Sequence, residues 1–216
     1  MTYAIPNILI VSLLFLAVFT VAEYAYYKKF PVFVTRKMVH IGCGLVTASL
    51  PFFVNLNVLI YLCAGFFLLL VWSKRMNLLS SVHKIDDYSV GALIFAPTIA
   101  LIAIIFWPIN LLIFQGAVLV LGLSDGIAGL VGKRYGKRKY CVTGEKSVEG
   151  SLAFFLVTLI ILSIIAFIGN TPFSLQMFGF IFVSSIIVTI VEGCSGKGWD
   201  NLFVPISTAL ILLYIL

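Results

Sequence analysis

GSLAFFLVTLIILSIIAFIG, residues 150–169, carries no charged side chain. Twenty such residues in a row are what an α-helix needs to cross the hydrocarbon core of a bilayer. The run is continuously apolar, whereas a membrane β-strand would alternate with period two, so it reads as a helix and not as part of a barrel. The same pattern recurs along the chain. Apolar runs at 4–23, 38–54, 56–73, 89–107, 109–131, 150–169, 174–192 and 201–216 predict eight transmembrane helices. Of the 216 residues, 62% are hydrophobic and 10% are charged, and the mean hydropathy is +1.18. A soluble domain carries about 25% charged residues, so soluble and disordered classes are both excluded. The expected fold is an all-α integral membrane protein, a polytopic bundle of about eight helices. Eight spans with short loops use the whole length, which predicts a single transmembrane domain, 1–216.

The charges between the spans set the orientation. All of them cluster in the first, third, fifth and seventh loops or at the helix ends beside them; the loops near 53–56, 108–110 and 169–173 have none. Lys and Arg collect on the cytoplasmic side, so the odd loops are expected in the cytoplasm and both termini outside. The same rule accounts for the net charge of +6, and nucleic acid is not an expected partner. The first run lacks a basic leader, so no cleavable signal peptide is expected. Cys43, Cys63, Cys141 and Cys194 form neither a disulfide framework nor a zinc pattern. Every group suited to acid, base or metal chemistry lies toward one face. A transporter would more commonly carry ionisable groups at mid-depth. Chemistry at the cytoplasmic interface is the better expectation.

The richest stretch is SDGIAGLVGKRYGKRKYCVTGEKSVEGS, 124–151. Asp125 lies near the end of the fifth run, with Gly129, Gly132 and Lys133 on the same helical face. A cationic loop with Gly136 and Lys137 follows. Lys146, Ser147, Glu149 and Gly150 then lead into the sixth helix, with Ser147 as N-cap. These residue types suit a polyphosphate. A helix N-terminus offers free N–H groups to an anion, glycines admit the backbone closely, and lysines supply point charges. A carboxylate beside them suits Mg²⁺ bridging the phosphates. The glycine spacing is not that of a Walker A loop. The basic run alone is equally an ordinary positive-inside loop, and Gly122, Gly126 and Gly129 equally a helix-packing stripe.

Two more clusters share this face. Arg36, Lys37 and His40 open the second helix; Arg36, His40 and Gly44 follow one another at four-residue steps. VEGCSGKGWDN, 191–201, places Glu192 and Asp200 on either side of a Gly-rich loop, an arrangement suited to a divalent cation. Asp200 or Asn201 is expected to cap the eighth helix. His83, Asp86 and Asp87 read as a solvated loop, and Pro97 is expected to kink the fourth helix.

Three blocks, RKMVHIGCG at 36–44, LSDGIAGLVGKRYGKRK…GEKSVEGS at 123–151 and VEGCSGKGWDNLFVP at 191–205, resemble the CTP-dependent lipid kinases that phosphorylate dolichol, phytol and farnesol. The middle block is also similar to CDP-diacylglycerol synthases, but the C-terminal signature of those enzymes is absent. The resemblance implies Mg²⁺-dependent transfer of the γ-phosphoryl group of CTP to the hydroxyl of a membrane lipid alcohol. It implies Asp125, His40, Lys146 and Glu149 as the catalytic set. Arg36, Lys37, Gly129, Gly132, Lys133, Gly136, Lys137, Lys146, Ser147 and Gly150 would hold the nucleotide, and Asp125, Glu149, Glu192 and Asp200 the metal. The alcohol would reach the site laterally from the bilayer, and homodimerisation is compatible with the pattern. The alternatives are a CTP-dependent cytidylyltransferase of the CDP-diacylglycerol synthase type, a CTP-dependent diacylglycerol kinase, and a small transporter or lipid-binding subunit without catalysis.

Overall fold

The computed structural model describes residues 4–76, 91–172 and 174–216. The segment holding His83, Asp86 and Asp87 lies outside the described residues. The chain is a helical bundle with the element order α1 Ala4–Tyr27, α2 Val32–Ser49, α3 Leu56–Arg75, α4 Gly91–Phe106, α5 Leu111–Leu119, α6 Asp125–Tyr135, α7 Val148–Ile168, α8 Leu175–Cys194 and α9 Asp200–Ile215. A short 3₁₀ turn, Leu50–Phe52, follows α2. A single π-turn, Val120–Ser124, joins α5 to α6, and the whole of Leu111–Tyr135 runs on as one span. Among the described residues, five helices are long and apolar enough to cross a membrane, the α5–α6 span counting as one; α4 and α9 are shorter apolar helices. With α2 they make the eight expected spans.

The α5–α6 span is the axis of the bundle and the most buried of the five long apolar spans. Ile113, Phe114, Ala117, Val118 and Leu121 are fully or almost fully enclosed by α2, α4, α7 and α9, which pack around it. The outside of the bundle is the reverse of a soluble protein. Leu9, Leu16, Leu68, Ile160, Phe167 and Ile190 stand more than half exposed, as lipid-facing side chains should. Helices that gain nothing from excluding water from one another associate through close backbone approach at small residues. Gly44 of α2 meets Gly122 of the π-turn in this way: a Cβ on Gly44 would come within 2.6 Å of the Gly122 Cα.

The two ends of the bundle differ as the charges predict. Lys37, Lys146, Glu192 and Asp200 come together at one end. At the other, Asn7 donates to the Phe53 carbonyl at 2.7 Å and Thr171 to the Ile215 carbonyl at 2.9 Å. The start of α1 and the end of α9 therefore lie at the charge-free end.

Several boundaries differ from the hydropathy reading. α2 begins at Val32, behind Pro31, and not near residue 38, so Arg36 and Lys37 are inside the helix. α6 continues past residue 131 to Tyr135, through Gly132, Lys133 and Arg134. Hydropathy detects only the lipid-immersed part of a helix, and Lys and Arg are good helix formers outside it. Pro97 lies within α4 without ending it. Between α6 and α7 there is a two-stranded antiparallel hairpin, β1 Lys139–Cys141 and β2 Glu145–Ser147, with Lys139 opposite Ser147 and Tyr140 opposite Lys146. Two three-residue strands in a polar loop leave no hydropathy signal.

Candidate active site

Asp125 is the first residue of α6, directly after the π-turn, and is 6% exposed. π-turns inside helices accompany functional sites. Two side chains one turn apart on α2 converge on its Oδ2: Lys37 Nζ at 2.8 Å and His40 Nε2 at 3.1 Å. Lys37 also donates to the Asp125 carbonyl at 3.1 Å. His40 Nε2 lies 2.9 Å from the Leu121 carbonyl of the π-turn. Both partners of Nε2 are acceptors, so Nε2 carries a hydrogen, and Nδ1 is the basic nitrogen of the neutral ring. The glycines of α6 permit the convergence. Gly126 lies against Ile41, and Gly129 lies under the Lys37 stem, where any Cβ would collide with it.

A second ion pair faces the first. Lys146 of β2 reaches Glu192 near the end of α8, at 2.5 Å to Oε1, and also donates to the Glu192 carbonyl. Asp200 Oδ2, at the start of α9, is 4.0 Å from the same ammonium. The turn between α8 and α9 passes through Gly198 at φ 92°, a left-handed conformation that suits glycine. Trp199, not Asp200 or Asn201, stands at the cap position of α9. The Asp200 carboxylate accepts the Asn201 N–H at 3.0 Å.

Between the two pairs is a cavity of about 330 Å³. One wall is the α6 face Asp125, Ala128, Gly129, Gly132 and Lys133, the periodicity expected of that stretch. Another is the hairpin, with Lys139, Glu145 and Lys146. Ser147, Gly150 and Ser151 bring in the N-terminus of α7, where the Ser147 hydroxyl accepts the Gly150 N–H at 3.1 Å as an N-cap. Glu192 and Asp200 close the far side. α6 and α7 approach closely through glycine: a Cβ on Gly132 would lie 2.8 Å from Ser147 Oγ, and one on Gly150 3.0 Å from the Ala128 carbonyl. Among the described residues, four carboxylates line this one cavity, matched by four lysines.

Not every expected residue faces it. Glu149 lies off the Ser147–Gly150–Ser151 face; its carboxylate accepts the Arg138 N–H at 3.3 and 3.4 Å and ties the hairpin to α7. It is therefore not placed to share a metal with Asp125. Lys137 is exposed and outside the cavity lining, and Gly136 is the C-cap of α6, where a Cβ would strike the Gly132 carbonyl. Arg36 lies in a separate small cavity with His40. It is Lys37, not Arg36, that joins His40 on Asp125.

Phe33, Lys139, Glu145 and Ser151 line the cavity without having been singled out. Only the hairpin register could have indicated Lys139 and Glu145, which form an ion pair across it. That ammonium, bonded to Glu145, holds its carboxyl below the usual range. Tyr140 bonds Ser151 at 2.6 Å, and Thr143 bonds the Cys194 carbonyl at 2.7 Å, which docks the hairpin onto α7 and α8.

Among the described residues, no group of three or more His, Cys, Asp or Glu side chains forms a protein-only metal cage. The donor set does fit Mg²⁺, which binds through one or two carboxylates and leaves the rest to phosphate and water. Glu192 Oε2 is buried and has no hydrogen-bond partner among the described residues, and it shares the cavity with Asp125 and Asp200.

The relatives of the chain carry the same theme. A phytol kinase of Synechocystis is 37% identical over 189 residues, covering 84% of this chain and 78% of that protein. The chain belongs to the phytol kinase family. A probable chloroplastic phytol kinase 3 of Glycine max is 31% identical over 94% of this chain and 68% of its own length. The dolichol kinase sec59 of Schizosaccharomyces pombe is 35% identical over 41% of this chain and 17% of its own. No protein-family profile matches the chain, and no solved structure does. Membership of the phytol kinase family makes the chain a multi-pass membrane lipid kinase, and the cavity around Asp125 is its candidate active site.

Proposed function

We propose that the protein transfers the γ-phosphoryl group of CTP to the hydroxyl of a phytol- or polyprenol-type alcohol, at the cytoplasmic face of its membrane. The observation that carries this reading is the enclosed carboxylate Asp125, held by Lys37 and His40 in a cavity walled by lysines and a helix N-terminus. The N–H groups opening α7 and the charges of Lys133, Lys139 and Lys146 suit a triphosphate. Cytidine as the base rests on the resemblance of the sequence blocks. The cytoplasmic side, with both termini outside, rests on the Lys and Arg at that end.

Asp125, Glu192 and Asp200 would hold Mg²⁺ alongside the phosphates. When bound, that ion neutralises the charge that develops on the transferring phosphoryl group. The chain's own residues do the rest. Lys146 and Lys133 orient phosphate oxygens. Lys37 fixes the Asp125 carboxylate, and Asp125 with the Leu121 carbonyl fixes the His40 ring with Nδ1 as its basic atom. The alcohol oxygen forms a bond to the γ-phosphorus, and the bond from that phosphorus to the β–γ bridging oxygen breaks. CDP leaves, and the hydroxyl proton passes to His40. A positioned base contributes about 10²–10⁴-fold to such a step.

The deciding experiment supplies purified protein with Mg²⁺ and γ-labelled CTP, and offers phytol, longer polyprenols, diacylglycerol or phosphatidate. Label in an extractable alkyl phosphate is the expected result. Pyrophosphate release with cytidine entering lipid would replace the kinase by a cytidylyltransferase. Absence of any lipid-dependent turnover with CTP, ATP or GTP would remove the catalytic reading.

A further inference from the structure

On the other side of His40 from the Asp125 cavity, the bundle holds a second, apolar system. α1, α2, α3 and α4 enclose a groove of about 440 Å³, with Phe15 and Phe19 of α1, Leu62, Gly65 and Phe66 of α3 and Ile99 of α4 among its walls. Toward the charged end it narrows. Phe19, Phe66 and Phe95 line both the groove and a cavity of about 70 Å³ that contains Arg36, His40 and Asn201. The ring of His40, edge-on to Phe95, thus stands between the apolar system and Asp125.

The groove runs along the helices. Neck and groove together run along α2 and into the turn after it, from Arg36 to Leu50, fourteen residues, or about 21 Å at 1.5 Å per residue. That is more than half of a hydrocarbon core about 30 Å thick. Its walls are mostly apolar, with Ser12, Thr47 and Tyr61 as its polar side chains, and the charged and amide groups, Arg36, His40 and Asn201, are at the narrow end. A bulk phospholipid does not fit this shape, because the head end has about one-sixth of the groove's volume. A glycerol backbone with two ester-linked tails would have to place its branch point and both ester groups in that same neck of about 70 Å³. One long tail ending in a bare hydroxyl fits both parts.

We infer that the α1–α4 groove binds the tail of a single-chain lipid alcohol and presents its hydroxyl at the Arg36–His40 neck, so that the alcohol enters from the bilayer and meets the γ-phosphate beside His40, at the edge of the Asp125 cavity. This rests on the proposed kinase reading and adds to it the location of the acceptor and a preference for single-chain alcohols over diacylglycerol. Arg36, His40 and Asn201 are the polar groups that line this neck, with His40 placed to take the hydroxyl proton. Asn201, which donates to the Gly91 carbonyl at 2.7 Å, also fixes the start of α4 beside the neck.

Gly65 provides the test. A Cβ there meets nothing within 4 Å, and the same holds for Gly179 on α8, which does not line the groove. Gly65→Phe should fold and fill the groove; Gly179→Phe is the matched control. Phosphorylation is measured across prenyl alcohols of increasing length and diacylglycerol. The expected result is at least a tenfold loss of kcat/KM on long alcohols for Gly65→Phe, wild-type values for Gly179→Phe, and a wild-type preference for phytol over diacylglycerol of tenfold or more. Unchanged long-alcohol kinetics in Gly65→Phe, or equal use of diacylglycerol, overturns the inference. A diazirine-bearing prenyl alcohol, photolysed in vesicles of the wild-type protein and mapped by mass spectrometry, decides the matter without turnover. Label concentrated on α1 and α3 around Phe19 and Phe66 supports the groove; label spread over the lipid faces of α7 and α8 overturns it. If no alcohol is phosphorylated, the kinase reading fails by itself, and the labelling pattern still decides the groove.

Discussion

Asp125 concentrates the electrostatics of the site on one side chain. Its Oδ2 receives Lys37 and His40, both from α2, and the Lys37 stem fills the space above Gly129. Asp125→Asn keeps the shape and removes the charge, so it should abolish lipid phosphorylation while the protein remains extractable and monodisperse. Activity near wild type would remove Asp125 from the mechanism. The same change leaves the Lys37 ammonium facing a neutral amide in a largely buried position, and breaking a buried pair on one side costs about 3–5 kcal/mol. Asp125→Asn with Lys37→Met should therefore melt higher in detergent than Asp125→Asn alone, and be equally inactive. Gly129→Ala separates position from charge: its methyl displaces a flexible lysine end and no backbone. A fall in kcat of about tenfold or more with little change in Tm is expected; full activity would show that Lys37 need not touch Asp125.

At the scale of elements, the site is built where helices of different lengths end. α8 stops two residues after Glu192 and α9 starts at Asp200, while α6 runs ten residues beyond Asp125, or about 15 Å. That overhang and the hairpin roof the cavity. The apolar runs and the clustering of charge at one end were legible in the sequence because bilayer burial imposes long uncharged segments. The overhang was not, since it is helix outside lipid and carries Lys133 and Arg134. Helix phase was half legible. The Asp125–Gly129–Gly132–Lys133 face followed from spacing. The choice of Lys37 over Arg36 depends on how α2 rolls against α5 and α6, which Gly44 and Gly122 decide. Gly44→Ala would force those backbones apart, and overpacking of this kind costs about 1–3 kcal/mol. The expected result is a lower Tm together with reduced activity, since the roll of α2 also carries Lys37 and His40. Wild-type Tm would refute backbone contact as the device that sets the phase. Glu149 was misread for a related reason: a carboxylate in the first turn of a helix next to a basic loop has two available uses, and the hairpin, invisible to hydropathy, takes it for Arg138.

For the whole molecule, the separation of charged and charge-free ends makes sidedness measurable with residues already present. Cys141 on β1 and Cys194 at the end of α8 are exposed at the charged end, Cys43 is buried in α2, and Cys63 lies partly covered within α3. A membrane-impermeant maleimide should leave intact cells or right-side-out vesicles unlabelled and should modify Cys141 and Cys194 in inverted vesicles. Replacing both by Ser should abolish that signal, because neither remaining thiol is at an aqueous surface. The proposed orientation has a chemical consequence. A nucleoside triphosphate is drawn from water, whereas a lipid alcohol is available only in the bilayer, so the reaction proposed above needs a polar cavity and a membrane groove that open onto one another. His40 and Asp125 occupy that boundary here. Labelling of Cys141 from the outer side would reverse the orientation, put the lysine-walled cavity away from any triphosphate pool, and remove the topological basis for reading it as a nucleotide site.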